Sequence, residues 1–170
     1  MIRSVVVLVF TALALCGCVL QSRTPLYDDR SGELVLGQTG GAALMSSWKD
    51  GAWVRDTDPV SIAIAGQHYE ATADASTIAL TFVKLQTPWF VLQAVEVNKP
   101  TVYMLAEVKD QAAEVHPLAC SDLKKNPAVV KWVSFEGDDC FIQPGAPVKE
   151  LFGKLVKNPG EATSRLAIAN

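Results

Sequence analysis

From Val60 to Leu118 apolar residues recur at every second position, in short runs separated by turn signals. Val60, Ile62 and Ile64 alternate with Ser61, Ala63 and Ala65 before Gly66-Gln67 turns the chain. Tyr69, Ala71 and Ala73 make the next run, and Ile78, Leu80 and Phe82 the one after, ended by Gln86-Thr87-Pro88. Trp89 to Val97 is apolar on both faces, as a strand covered on both sides requires, and Asn98-Lys99-Pro100 closes it. Val102, Met104, Ala106 and Val108 alternate again, and Ala113, Val115 and Pro117 follow Asp110-Gln111. A period of two is the strand period, and turns this short leave no room for crossover helices. An antiparallel meander is expected.

The flanking segments are less regular. Leu34-Val35-Leu36 reads as a short strand, Ala42 to Trp48 is ambiguous between helix and strand, and Lys49-Asp50-Gly51 is a tight-turn signal before Ala52-Trp53-Val54. In the last third, Ser121 or Asp122 can cap a short helix ending at Lys125. Lys131 to Phe135 and Cys140-Phe141-Ile142 look strand-like on either side of the turn Glu136-Gly137-Asp138-Asp139. Pro147 opens a helix in which Val148, Leu151, Phe152, Leu155 and Val156 form one apolar stripe, ended by Asn158-Pro159-Gly160. Leu166-Ala167-Ile168 is expected as an edge strand. The expected class is α+β: mostly an antiparallel β meander, as a twisted sheet or partly open barrel, with the C-terminal amphipathic helix packed on it.

The 170-residue chain is 49% hydrophobic with a mean hydropathy of +0.21, and much of that apolar character is concentrated at the start. Arg3 precedes Val5 to Leu15, an apolar run broken only by Thr11. This is the form of an export signal, too short for the roughly 20 residues a membrane span needs. Directly after it, Leu15-Cys16-Gly17-Cys18 resembles the lipobox of bacterial lipoproteins. The rival register Leu13-Ala14-Leu15-Cys16 puts Leu where that family has a small residue. The resemblance implies that residues 1–17 are removed and that Cys18 carries the lipid, anchoring the chain to a membrane. Val19 rather than Asp follows Cys18, which resembles lipoproteins sorted to the outer membrane, facing the periplasm. The expected organisation is a signal at 1–17, a lipid-anchored tether at 18–33 and one β-rich domain at 34–170.

Removing residues 1–17 costs only one charge, Arg3, leaving 14 bases against 18 acids in 153 residues. A net charge of −4 without a basic stripe excludes nucleic acid as an expected partner. Cys120 and Cys140 remain as a pair in an exported chain, so a disulfide between them is expected. Metal binding and a reactive thiol are the weaker alternatives, with His116, Asp122, Asp138 and Asp139 the nearest ligands or partners in sequence.

No phosphate-loop, dinucleotide, zinc-protease, serine-hydrolase or calcium-loop signature occurs, and no cofactor is expected. His68 is expected as a solvated turn residue. His116, near Cys120, Ser121 and Asp122, offers a Cys/His or Ser/His pair only on paper, because catalysis needs a base within reach and a third orienting group. Trp48, Trp53, Trp89 and Trp132 can line a binding surface or plug the core; Trp89, with Asp138 and Asp139, is the candidate exposed binding set. The expected function is a lipid-anchored envelope protein without enzymatic activity, in a structural or interaction role with an envelope partner. The alternative is an inhibitor-type protein-binding module, similar to the small periplasmic lysozyme inhibitors, presenting a loop within 120–140. Their motif is missing here, and the helix Pro147–Lys157 departs from an all-strand barrel. A hydrolase built on His116 ranks last.

Overall fold

A computed structural model describes residues 18–57, 60–73 and 76–169. Its strands are β1 (Leu20–Ser22), β2 (Gly41–Lys49), β3 (Ala52–Arg55), β4 (Val60–Ala65), β5 (His68–Ala73), β6 (Ser76–Gln86), β7 (Trp89–Glu96), β8 (Thr101–Lys109), β9 (Ala112–Pro117), β10 (Val133–Glu136), β11 (Asp139–Ile142) and β12 (Ser164–Ile168). Two short helices, α1 (Cys120–Lys125) and α2 (Val148–Leu155), lie between the later strands.

The alternating run folds as its period requires. Strands β4 to β9 pair successively and antiparallel, and tight turns fix their register. At the β8–β9 turn both Asp110 and Gln111 have positive φ (50° and 59°), and at β2–β3 so do Asp50 and Gly51 (51° and 81°). Two consecutive left-handed residues give a two-residue turn whose twist matches the flanking strands. Ambiguous Ala42 to Trp48 belongs to β2.

The structure corrects the expected class. Among the described residues the chain is mostly β, with 52% in strands and 14% in helix counting short 3-10 turns, and eight antiparallel strands close into a barrel. The order β8-β7-β6-β5-β4-β2-β12-β9 returns to β8 through the β8–β9 pairing. The closing piece is β12, expected as an edge strand: Leu166 sits opposite Met45 of β2 on one side and Ala113 of β9 on the other. A strand with apolar neighbours on both flanks removes the two edges of the meander, and an unpaired edge is the costlier alternative. Alternation reports faces, not closure, so the sequence pattern alone could not distinguish the two.

Two apolar clusters share the barrel wall. The interior holds Tyr69, Phe82, Ile62, Leu80, Phe90, Leu92, Met104 and Leu166 with their neighbours. Leu36 belongs to this cluster, so Leu34-Val35-Leu36 is an irregular plug rather than a strand. The Tyr69 hydroxyl accepts the Leu36 N–H (2.8 Å) and donates to the Gly37 carbonyl (3.0 Å). The second cluster covers the outer face of β7 and β8, where Val91, Tyr103 and Leu105 meet Leu20, Leu123, Val133, Ile142, Leu151 and Phe152. That is why β7 is apolar on both faces: Phe90 and Leu92 point into the barrel and Val91 into the outer layer. Helix α1 starts at Cys120 without a side-chain cap, so neither Ser121 nor Asp122 plays that part.

Candidate functional site

The segment 18–33, expected as a tether, is docked along its length. The Cys18 carbonyl accepts the Cys120 N–H (2.6 Å), Val19 bridges Ala119, and Leu20 N–H donates to the Leu118 carbonyl (2.9 Å). Leu20 then lies in parallel register with Cys140, and Gln21 pairs with Val102 of β8. The start of the described chain therefore runs alongside both halves of the Cys120–Cys140 disulfide, which forms as expected with a Cα separation of 5.6 Å. Cys18 itself is half-buried against the outer cluster. The expected signal at residues 1–17, including Leu15, Cys16 and Gly17 of the lipobox, lies outside the described residues.

Beyond β1 the segment becomes a strap. The Leu26 and Tyr27 N–H groups both donate to Gln93 Oε1 (3.1 Å each), Leu26 N–H also reaches the Tyr103 hydroxyl (2.9 Å), and Gln93 Nε2 donates to the Tyr27 carbonyl (3.0 Å). Ser22 Oγ lies 3.0 Å from the same Tyr103 oxygen and bonds the Thr24 carbonyl. Gln93 and Ser22 are buried polar residues, which is affordable only because each is partnered. Burial pushes the Tyr27 hydroxyl up to about 12, with the neighbouring Tyr103 adding to the shift. Further on, Asp29 Oδ1 meets His68 Nδ1 (2.5 Å) and accepts the Gln67 N–H (3.2 Å). The His68 bond, then the Gln67 bond, lower the Asp29 carboxyl below the usual range. His68 thus holds Asp29 by a hydrogen bond and is half-buried rather than simply a solvated turn residue. The strap lies so close that a Cβ at Gly32 would strike the Gln67 carbonyl, and Gly66, at φ +61°, packs against the Asp29 carboxylate. These contacts clip residues 28–33 to the β4–β5 turn and tie the strap to the wall.

His116 points outward from β9 and is buried rather than surface-exposed. Its Nδ1 bonds the Gly160 carbonyl at 3.0 Å, so that nitrogen carries the proton, and its ring lies 5.0 Å from that of Trp89. Nε2 is buried without a hydrogen-bond partner among the described residues. The paper constellation with Cys120, Ser121 and Asp122 is not assembled: Cys120 is in the disulfide, and Ser121 and Asp122 sit exposed on α1. Beside it, Glu107 and Glu114 face each other across β8 and β9. Lys109 binds Glu107 (2.7 Å), and Arg165 lies opposite Glu114 on β12, so cations flank both acids. The Glu107 bond holds the Lys109 ammonium above its usual range. Among the described residues no group of three or more His, Cys, Asp or Glu is placed to hold a metal.

The candidate binding set does not come together. Trp89 is half-buried against His116, while Asp138 and Asp139 are exposed in the β10–β11 turn, with β1 and β8 lying between β11 and β7. Segment 120–140, the candidate inhibitor loop, is instead folded into the outer layer, with Cys120, Leu123, Val129, Val133 and Cys140 all buried. Trp132 is half-buried under Lys131 and Lys154, whose ammonium groups lie 4.7 and 5.4 Å from its ring centroid. The exposed pair is a different one. Trp48 is 45% exposed and packs edge-to-face on Trp53, centroids 5.1 Å apart, on the outer side of the β2–β3 hairpin. A two-residue Asp50-Gly51 turn places residue 48 opposite residue 53, so this pairing was readable from spacing alone.

No family model, curated protein or solved structure matches the chain.

Proposed function

We propose that this protein is a lipid-anchored component of a bacterial envelope, held at Cys18 and serving a structural or interaction role without catalysis. The motif Leu15-Cys16-Gly17-Cys18 motivates the anchor. The observation that carries the reading is the seat of Cys18: its carbonyl is bonded to Cys120, and the next two residues, Val19 and Leu20, are buried. Acyl chains on this residue would leave the barrel from a fixed point, with no flexible spacer between lipid and domain. Two or three chains give firm attachment where one gives only marginal binding. The residue after Cys18 favours the outer membrane, periplasmic side.

Mass spectrometry of the N-terminal peptide tests the anchor directly. The expected result is a chain starting at an acylated Cys18, and a Cys18→Ser variant that leaves the membrane fraction. An unmodified N-terminus, or a Cys18→Ser protein that still fractionates with membrane, overturns the reading.

A further inference from the structure

We infer that the Trp48–Trp53 hairpin is a second membrane contact, resting in the headgroup interface of the bilayer that holds Cys18. The inference rests on the anchor reading and adds an orientation to it.

The hairpin stands apart from the rest of the surface. Among the described residues, strand β3 pairs with β2 alone and lies off the barrel path, so its outer edge bonds to no other described strand. On the hairpin, Trp48 (45%) and Val54 (44%) are two of only four large apolar side chains exposed among the described residues, and they lie on its two opposite faces, Trp48 paired with Trp53 and Val54 with Ser47. Trp53 supports Trp48 edge-on, which holds the exposed indole rather than letting it fold back. A hairpin end apolar on both faces suits edge-first entry into an interface that meets both of them, whereas isolated exposed side chains need no explanation. The polar groups around the pair suit an interface between water and lipid. Lys49 and Arg55 lie on the hairpin itself, and Arg165 sits beside Ser46 in register on β12. Of the nearby acids, Asp50 sits exposed in the hairpin turn beside Lys49, and Asp56 is turned toward Ser47 Oγ (3.3 Å) on the barrel side. Tryptophan with neighbouring Lys or Arg is the composition found at bilayer interfaces, where an apolar ring carries a polar N–H and cations meet phosphates.

Position argues for the same bilayer. Trp48 N–H donates to the Thr163 carbonyl, Thr163 N–H to that of Val115, and the β9 chain runs on to Ala119, which bridges Val19 beside Cys18. From β2 to β9 is two strand spacings, about 10 Å, and Val115 to Ala119 is a few residues more at roughly 3.3 Å each. The hairpin and the anchor are thus joined by one hydrogen-bonded track across adjoining strands. Since Cys18 has no spacer, a lipid there already brings this side of the barrel near the headgroups. Little is required of the hairpin in affinity; it selects which face lies down.

The test uses the full protein purified from membranes and reconstituted in phosphatidylethanolamine and phosphatidylglycerol vesicles carrying brominated acyl chains. Tryptophan quenching by shallow bromines is expected in the wild type and is expected to be largely lost in Trp48→Phe/Trp53→Phe, although Trp89 and Trp132 remain. Val54→Asp, which leaves all four tryptophans in place, should lower the same quenching while circular dichroism stays unchanged. Quenching that survives the double substitution would overturn the inference, as would hairpin tryptophans protected by soluble peptidoglycan fragments and not by lipid. Failure of the anchor is read separately, from the mass of the N-terminal peptide. An acylated protein without hairpin quenching sinks the orientation and leaves the anchor standing.

Discussion

The barrel interior and the outer layer are built from comparable apolar side chains, yet they are assembled in opposite ways. The barrel is made mostly of neighbours: β4 through β9 pair in sequence order across short turns. The outer layer collects Leu20, Val91, Tyr103, Cys120, Cys140 and Phe152 from distant parts of the chain. Its sheet joins β1 to β8 and β11 across separations that only tertiary structure can close. Loop closure costs entropy before contacts repay it. The outer layer accordingly carries the disulfide and the polar strap, and the barrel has neither inside it. The comparison implies that the barrel is the more autonomous unit.

The largest expected effects test that autonomy. Phe82→Ala in the barrel and Phe152→Ala in the outer layer each remove a fully buried ring. Each should destabilise by about 3–5 kcal/mol. Phe82→Ala should lower the single main transition in urea. Phe152→Ala should split it, with near-ultraviolet signals from the outer layer lost before far-ultraviolet β structure. Coincident transitions for Phe152→Ala would show the two layers to be one cooperative unit.

Next in size is the staple. Cys120 and Cys140 are 20 residues apart. Losing a crosslink over a loop of that length costs about 3 kcal/mol in the chain-entropy model. Cys120→Ala/Cys140→Ala should lose amide protection in α1, β10, β11 and β1 while β4–β7 remain protected. Uniform loss of protection would refute the division.

The same contrast decides what could be read in the sequence. Ile62, Tyr69, Leu80, Met104 and Val115 all face the barrel interior, as their period-two spacing requires. The Trp48–Trp53 register follows from a two-residue turn. Closure by Leu166 was not readable, because the alternation of an edge strand and of a closing strand is identical. Nor was the strap: Pro25, Asp28 and Gly32 have the composition of a linker, and it is Gln93, some 66 residues from Tyr27, that holds it down. His116 was legible only as half of a pair on paper; that Trp89 and the turn at Gly160 bury it depends on residues far away in the sequence.

The strap should respond to a single deletion by a smaller amount. Gln93→Ala strips the Tyr27 N–H of its acceptor and the Tyr27 carbonyl of its donor, while the Leu26 N–H keeps only the Tyr103 hydroxyl. Such a loss costs about 1–3 kcal/mol. It should raise proteolysis between residues 23 and 33 before it affects the barrel, and cleavage confined elsewhere would count against the strap.

The smallest effect is a pH dependence confined to the alkaline limb. Burial pushes Tyr27 up to about 12 and also raises Tyr103, so both hydroxyls stay neutral in the folded chain after the unfolded chain has begun to ionise. An unfolded tyrosine titrates near roughly 10. A group whose folded value is raised contributes stability that is fully present below the unfolded value and lost as pH rises through the folded one. Stability should therefore decline between about pH 10 and 12. Tyr69, raised by burial in the barrel, adds to the same decline, so global melting alone would not separate the two regions. Tyr27→Phe does separate them, because it removes one ionisable group from the strap and none from the interior. The variant should show a shallower alkaline decline, and amide exchange at Leu26 and Tyr27 should accelerate later in pH than in the wild type. An alkaline limb unchanged by Tyr27→Phe would assign the dependence to Tyr69 and Tyr103, and the strap would no longer be the part that yields first.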